Sequence, residues 1–290
     1  MLRLGSAGRV GYHARVHPTE LPTLDEPHTL ASDAAESYRR DGFAVVRGLA
    51  TAAEIAPFRP AIVAAAGRLN RETRPLEKRG TYGRAFLQTT NLWPHDDVVR
   101  RFVFARRFAR VAAELMGAAG VRLYHDQALF KEGHGGFTPW HQDQFYWPLD
   151  TTHTITMWMP LHDLSAEMGI MHFARGSHTD GQITELPIGR ASEAELTRVV
   201  AARGFAVTGP ESMRTGDATF HSGWTLHGAP PNASAATREV MTVIYFADGT
   251  RVGPLDHPNR RFDRDAWLPG CEPGELAASP KNPVLFGPDA

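Results

Sequence analysis

Two short stretches, far apart in the chain, carry the residue types of a metal centre: Trp140-His141-Gln142-Asp143 and Leu226-His227-Gly228. Along a strand, residues i and i+2 project from one face, so His141 and Asp143 can reach the same cation while Gln142 points away. A histidine from a distant strand then completes a two-histidine, one-carboxylate face. Such a face leaves coordination positions open for substrate, cosubstrate and dioxygen, which suits a non-heme iron(II) centre. A lone His-x-Asp pair is common by chance, so its surroundings must supply the specificity. His221, six residues before His227, would share its face on one continuous strand and competes for the third place. The His-Gly context and the spacing to Arg238 favour His227.

Arg238 lies eleven residues beyond His227, at the head of the apolar run Glu239 to Phe246. Burying a guanidinium there is costly unless a carboxylate meets it in bidentate geometry. The plain reading is a sheet-edge arginine in water. Beside the histidine, the sharper reading is an anchor for the remote carboxylate of 2-oxoglutarate.

The elements that position these side chains follow from the rest of the chain. Its 290 residues are 42% apolar and 22% charged, with 31 basic and 32 acidic side chains. That is enough apolar material for a substantial core, and the charge balance excludes a polybasic nucleic-acid binder. One cysteine, Cys271, excludes a disulfide framework and a thiolate-rich metal site, whereas fourteen histidines point to nitrogen and oxygen ligands. No apolar run approaches the roughly 18 residues of a membrane helix. The first residues lack a secretory apolar region and the last five are not a peroxisomal address. The expectation is a soluble cytoplasmic protein working on a small molecule, with no nucleic-acid or membrane partner and no signal for oligomeric state.

Prolines make residues 1–30 irregular. A helix begins near Ser32 and stops at Asp41-Gly42, before a short buried strand, Phe43 to Leu49. Residues 51–70 are helical apart from Pro60, and 71–96 read as a long loop. Asp97 to Gly117 reads as one amphipathic helix, with Phe104, Phe108, Val111 and Leu115 on one face. From Val121 the period changes to two. VRLYHDQALFK, FTPWHQDQFYW, THTITMWMPLHDL, GIMHFA, ATFHSGWTLHG and REVMTVIYFA all have strand composition. A helix at 192–203 interrupts them, opened by a Ser192/Glu195 capping box and closed by Gly204. The tail from 250 to 290 is expected to wrap the surface. The pattern is α+β and mainly β, with a sandwich or barrel after flanking N-terminal helices.

The His-Gln-Asp triplet, Leu226-His227-Gly228 running on to Pro231-Asn232, and Arg238 together resemble the phytanoyl-CoA dioxygenase (PhyH-like) family of Fe(II)/2-oxoglutarate oxygenases. Asp41-Gly42-Phe43-Ala44-Val45-Val46-Arg47-Gly48 matches the way the family opens. Met168 to His178 resembles its Gly-Ser-His turn, with Glu167-Met168 and Arg175 as departures. The likeness spans roughly residues 32–250.

The resemblance implies a double-stranded β-helix (jelly-roll, cupin-like) core over about 120–250, helical support over about 31–118, and a single oxygenase domain over 1–290. It implies Fe(II), 2-oxoglutarate and O2 as cofactors, iron on His141, Asp143 and His227, and Arg238 on the 5-carboxylate. Gln127 and Lys131 match cosubstrate-contacting positions. As i and i+4 of one strand they would point inward beside Leu123 and Leu129. Thr156 and Trp158 would line the same pocket, although core packing is the simpler role for Trp158.

Halogenating relatives carry Gly or Ala where this chain has Asp143, so the implied outcome is hydroxylation. Desaturation, epimerisation and cyclisation are the alternatives, and a zinc hydrolase or isomerase on a jelly roll is the non-oxidative one. Tyr82, Arg84, Gln88, Phe145, Trp147 and Trp224 are candidates for the substrate rim, which suits a medium-sized, partly apolar metabolite. No basic patch argues for a CoA thioester, so a natural-product intermediate is preferred. His125, His134, His153, His162, His172 and His178 read as structural or surface residues.

Overall fold

The computed structural model describes residues 21–288 and 290, so the expectation for residues 1–20 lies outside them. The first part of the chain is helical and supports the rest. Helix α1 (Ala34–Asp41) leads into β1 (Phe43–Val46), followed by α2 (Ala52–Ile55) and α3 (Arg59–Leu69). Gly42 ends α1 at φ +81, and a Cβ there would lie 2.5 Å from His178 Nδ1. Only glycine makes that turn against that neighbour. Pro60, expected to interrupt one helix, instead sits in the first turn of α3, where its missing N–H costs nothing.

The expected loop 71–96 holds structure. It contains α4 (Thr81–Ala85) and β2 (Leu87–Thr90), and β2 pairs antiparallel with residues 127–130. Leu87–Thr90 is too short and polar to announce itself, and its neighbour strand decides its conformation. The expected helix 97–117 is two, α5 (Asp97–Val103) and α6 (Arg106–Met116), because Ala105 leaves the helical region at ψ 113.

Strand β3 (Val121–Phe130) precedes β4 (Thr138–His141), β5 (Thr154–Pro160) and β6 (His172–Ala174). Helix α7 (Arg190–Arg203) and β7 (Val207–Thr208) come next, followed by β8 (Ala218–Ser222), β9 (His227–Ala229) and β10 (Val240–Ala247). The Ser192/Glu195 capping box does not form. Ser192 Oγ accepts from Gly189 N at 3.0 Å, and Glu195 instead accepts from Thr184 Oγ1.

The stretch from 137 to 147 is a strand only to His141, and a 3-10 turn, Asp143–Phe145, follows. ATFHSGWTLHG is likewise two strands, β8 and β9, which lie in different sheets. Gly223 begins the crossing. A Cβ there would lie 2.5 Å from Thr154 Oγ1 and 2.6 Å from Gln144 Oε1.

The tail also departs from expectation. It forms α8 (Pro258–Trp267) and β11 (Val284–Phe286), the latter joining the edge of β3.

The strands make two antiparallel sheets. One has seven strands in the order β1-β8-β5-β10-β3-β11, with β2 also on β3, and the other has four in the order β4-β9-β6-β7. This is the expected jelly-roll core with helices flanking it, and helical residues outnumber strand residues overall. The outer face of the large sheet carries Ile155, Met157, Met159, Met241 and Val243, packed on Phe102, Phe108, Val111 and Leu115. Each such fully buried side chain contributes about 1.5–3 kcal/mol by leaving water. The inner face looks towards the small sheet across a cavity. Among the described residues, no helix is long and apolar enough to cross a membrane.

Candidate metal centre

Three cross-strand pairs frame the inner cavity, and five of their six side chains line it. His141 on β4 is the register partner of His227 on β9. Thr156 on β5 is the partner of His221 on β8. Lys131, just after β3, forms an isolated bridge with Arg238, just before β10. A register shift of one residue would turn every such side chain to the other face.

One ligand atom from each of His141, Asp143 and His227 lies within 4.8 Å of the others. Asp143 Oδ1 is 3.6 Å from His141 Nε2 and 3.7 Å from His227 Nε2. The side chains meet as the i, i+2 argument expected, although Asp143 stands on the 3-10 turn rather than the strand. Gln142 turns away, donating to Gly181 O and Trp224 O and accepting from Ile183 N. The two histidines are oriented alike. His141 Nδ1 lies 2.8 Å from Pro139 O and His227 Nδ1 lies 2.9 Å from Thr225 O. A carbonyl only accepts, so each Nδ1 carries the proton and each Nε2 presents a lone pair to the centre.

The electrostatics match. Burial, with the neighbouring imidazoles, pushes His141 and His227 down to about 4. Burial works against ionisation of Asp143, but the surrounding His227, His221 and His141 outweigh it and hold the carboxyl well below the usual range. At neutral pH the trio is one anion and two neutral imidazoles, the state that binds a divalent cation.

Arg238 is 1% exposed and lines the same cavity, with its guanidinium 5.2 Å from the Trp158 ring centroid. One of its nitrogens donates to Gly169 O, but the buried Nε has no partner. Among the described residues no carboxylate pairs with it, and burial pushes it down to about 9. An orphaned donor on a buried cation fits the carboxylate of a ligand.

The cavity holds about 650 Å³. Gln127, Leu129, Thr156 and Trp158 line it as expected. Leu123 does not share that face. A bulge at Tyr124, where β10 steps one residue against two of β3, turns Leu123 towards the helices. The Lys131 ammonium is not in the lining either. It donates to Gly136 O at 2.6 Å, Pro230 O at 3.1 Å and Thr138 Oγ1 at 3.3 Å.

Of the rim candidates, Tyr82, Gln88 and Trp147 line the cavity, and Arg84, Phe145 and Trp224 do not. Phe145 instead packs on His257 at the start of α8, and Trp224 faces a separate depression. His125, expected to be structural, lines the cavity against Trp267, with ring centroids 4.7 Å apart.

The sequence reading missed Phe86, Tyr146, Ile188 and a whole wall from α8: Asn259, Phe262, Asp263 and Trp267. Its signal was His257-Pro258, a capping side chain followed by proline in the first turn. Asp263 accepts from Tyr124 Oη at 3.0 Å, tying α8 to β3.

A family model, Phytanoyl-CoA dioxygenase (PhyH), matches residues 38–240. Among solved structures, the non-heme alpha ketoglutarate dependent epimerase SnoN from nogalamycin biosynthesis is 26% identical. That match covers 87% of this chain and 97% of SnoN at a TM-score of 0.68. A SnoN complex with Fe3+, alpha ketoglutarate and nogalamycin RO is 27% identical, with the same coverage and TM-score. The carbocyclase SnoK is 23% identical, covers 90% of this chain and 100% of its own, and shares the fold at 0.73.

Proposed function

Because this chain belongs to the phytanoyl-CoA dioxygenase (PhyH) family of Fe(II)- and 2-oxoglutarate-dependent enzymes, we propose that it hydroxylates an unactivated C–H bond of a small organic metabolite or natural-product intermediate. The whole chain would act as one oxygenase domain. His141, Asp143 and His227 would hold Fe(II), and Arg238 would hold the far carboxylate of 2-oxoglutarate. The observation that carries this reading is that the triad and a buried guanidinium with no carboxylate partner among the described residues line one cavity. A zinc hydrolase or isomerase would account for the triad but not for Arg238.

When bound, iron(II) and 2-oxoglutarate supply the oxidant, with O2 consumed and succinate and CO2 released. The chain's own residues bind, orient and exclude water. Backbone carbonyls of Pro139 and Thr225 fix the two imidazoles. Trp158 packs against the Arg238 guanidinium and limits its freedom, which favours one pose of the carboxylate. Phe86, Trp147, Phe262 and Trp267 give the outer part of the cavity an apolar wall, with Gln88, Gln127 and His125 as hydrogen-bonding groups. Arg238 is the only lysine or arginine in that lining among the described residues, so a CoA thioester finds no further cation to meet its phosphates.

Epimerisation is the second reading, favoured by the 26–27% identity to SnoN. Both outcomes use one site and differ in the fate of the substrate radical. The test begins with anaerobic addition of Fe(II) and 2-oxoglutarate, which should give a weak visible charge-transfer band that d¹⁰ zinc cannot give. Turnover under ¹⁸O2 then separates the outcomes. Product one oxygen heavier, with label in succinate, supports hydroxylation. Unchanged mass supports epimerisation, and a product two hydrogens lighter supports desaturation or cyclisation. Absence of the band and of succinate, with zinc-supported activity, would overturn the oxygenase reading.

A further inference from the structure

Asp143 shows its two oxygens to different surroundings. Oδ1 faces His141 Nε2 and His227 Nε2. Oδ2 accepts from Thr156 Oγ1 at 3.1 Å and lies 3.2 Å from His221 Nε2. Thr156 and His221 are cross-strand partners on β5 and β8, both almost completely buried. They approach Oδ2 as a preformed pair from the large sheet, opposite the small sheet that carries the two ligand histidines.

The tautomers separate the three histidines. His141 and His227 each commit the Nδ1 proton to a backbone carbonyl. His221 Nδ1 is buried with no partner, so no carbonyl holds a proton there. A bare Nε2 beside a carboxylate oxygen would repel it, so the His221 proton belongs on Nε2 and points at Oδ2. His221 is therefore a donor where the other two are lone-pair ligands, although its ring centroid is only 4.3 Å from that of His227.

We infer that His221 and Thr156 are positioning residues that clamp Oδ2 of Asp143, so that the carboxylate meets the metal through Oδ1 alone. The inference rests on the Fe(II)/2-oxoglutarate reading and deepens it. An octahedral ion held by one atom from each of three protein ligands keeps three positions for exogenous ligands. A chelating cosubstrate would need two of these and dioxygen the third. A carboxylate free to rotate and bind through both oxygens would take one of them. The clamp would thus protect the open positions that the chemistry needs, through two side chains that meet Oδ2 and not the metal.

The test uses Co(II), a redox-inert probe, titrated into the whole protein and followed by 2-oxoglutarate. The d–d spectrum and the 2-oxoglutarate affinity are read together, with circular dichroism and melting temperature as fold controls. His221→Phe keeps the ring shape and removes the donor, so it should weaken 2-oxoglutarate binding about 10-fold or more and change the Co(II) spectrum. His221→Gln restores an N–H donor and should stay within about threefold of wild type. Thr156→Val, near-isosteric, should shift the spectrum in the same direction by less, and it carries the test if His221→Phe does not fold. A folded His221→Phe, or failing that Thr156→Val, with wild-type affinity and spectrum overturns the clamp. So does a folded His221→Gln that fails as badly as His221→Phe. A wild-type Co(II) protein that gives no response to 2-oxoglutarate overturns the underlying cosubstrate reading instead.

Discussion

Lys131 and Arg238 exchange both backbone hydrogen bonds, at 3.0 and 2.8 Å, and so bring two buried basic side chains together where β3 ends and β10 begins. Lys131 spends its ammonium on two carbonyls and a hydroxyl. Burial and the nearby Arg238 charge push it down to about 6. Arg238 keeps a donor unspent. Of the two, Arg238 alone lines the cavity, and its guanidinium is the charge that a carboxylate at that end would meet.

Arg238→Met should therefore raise the 2-oxoglutarate requirement steeply. The guanidinium and the cosubstrate's far carboxylate would form a buried charge pair, and truncating one member of such a pair costs on the order of 2–5 kcal/mol, a factor of roughly 30 upward. Lys131→Met should change it less, since the ammonium is not in the cavity lining. An unchanged dissociation constant for 2-oxoglutarate in Arg238→Met would assign the guanidinium another role.

His141→Ala and Asp143→Ala should each lose Fe(II) binding and turnover while keeping the fold, because both residues sit at an open centre rather than in the packed core. Iron content by elemental analysis, with circular dichroism alongside, checks this. Stoichiometric iron in both variants would remove the triad from consideration.

Asp143 also bears on product. As a metal ligand its carboxylate would occupy the coordination position that a halide would need, so turnover in saturating chloride should give no chlorinated product by mass spectrometry. A chlorinated product would mean that Asp143 leaves the metal.

Phe262 is 67% exposed yet lines the cavity mouth, on a helix beyond the stretch matched by the family model. Phe262→Asp should leave the fold and the 2-oxoglutarate affinity unchanged and raise KM for the organic substrate severalfold, since apolar contact there is lost. Equal KM values would place the substrate away from α8.

Acid should destabilise the metal-free protein in a defined window. His125, His141, His172 and His227 are held down to about 4, chiefly by burial. Their unfolded counterparts take up protons near 6.5, so between about 4 and 6.5 these four sites bind more protons in the unfolded chain. They outnumber Asp126 and Asp263, which burial pushes up to about 7 and which act in the opposite sense. The histidines' contribution to stability is complete above that window and is lost as pH falls through it. Urea midpoints at pH 7 and pH 5 should differ accordingly, and His125→Phe should narrow the gap. Equal midpoints would show that these imidazoles protonate without opening the fold.

Residue types at i, i+2 and a period of two made the His141/Asp143 pair and an α+β chain with a sandwich or barrel legible in the sequence by itself, because both survive without knowledge of the fold. The resemblance to the PhyH family added the jelly-roll class, His227 as the third ligand and the role of Arg238. The sequence also placed Gly42 and the end of α1, where local backbone geometry decides. What the tertiary structure decided depends on partners distant in the chain. The strand Leu87–Thr90 exists because β3 offers it a ladder, and the break between His221 and His227 exists because the chain changes sheets there. The bulge at Tyr124 reverses the face of Leu123, and no local pattern encodes a bulge. Helix α8 becomes a cavity wall only when the tail folds back onto β3 through Asp263 and Tyr124. His221 is the sharpest case. Its sequence context made it a rival ligand, and only the meeting of two sheets around Asp143 set its Nε2 against the carboxylate's second oxygen.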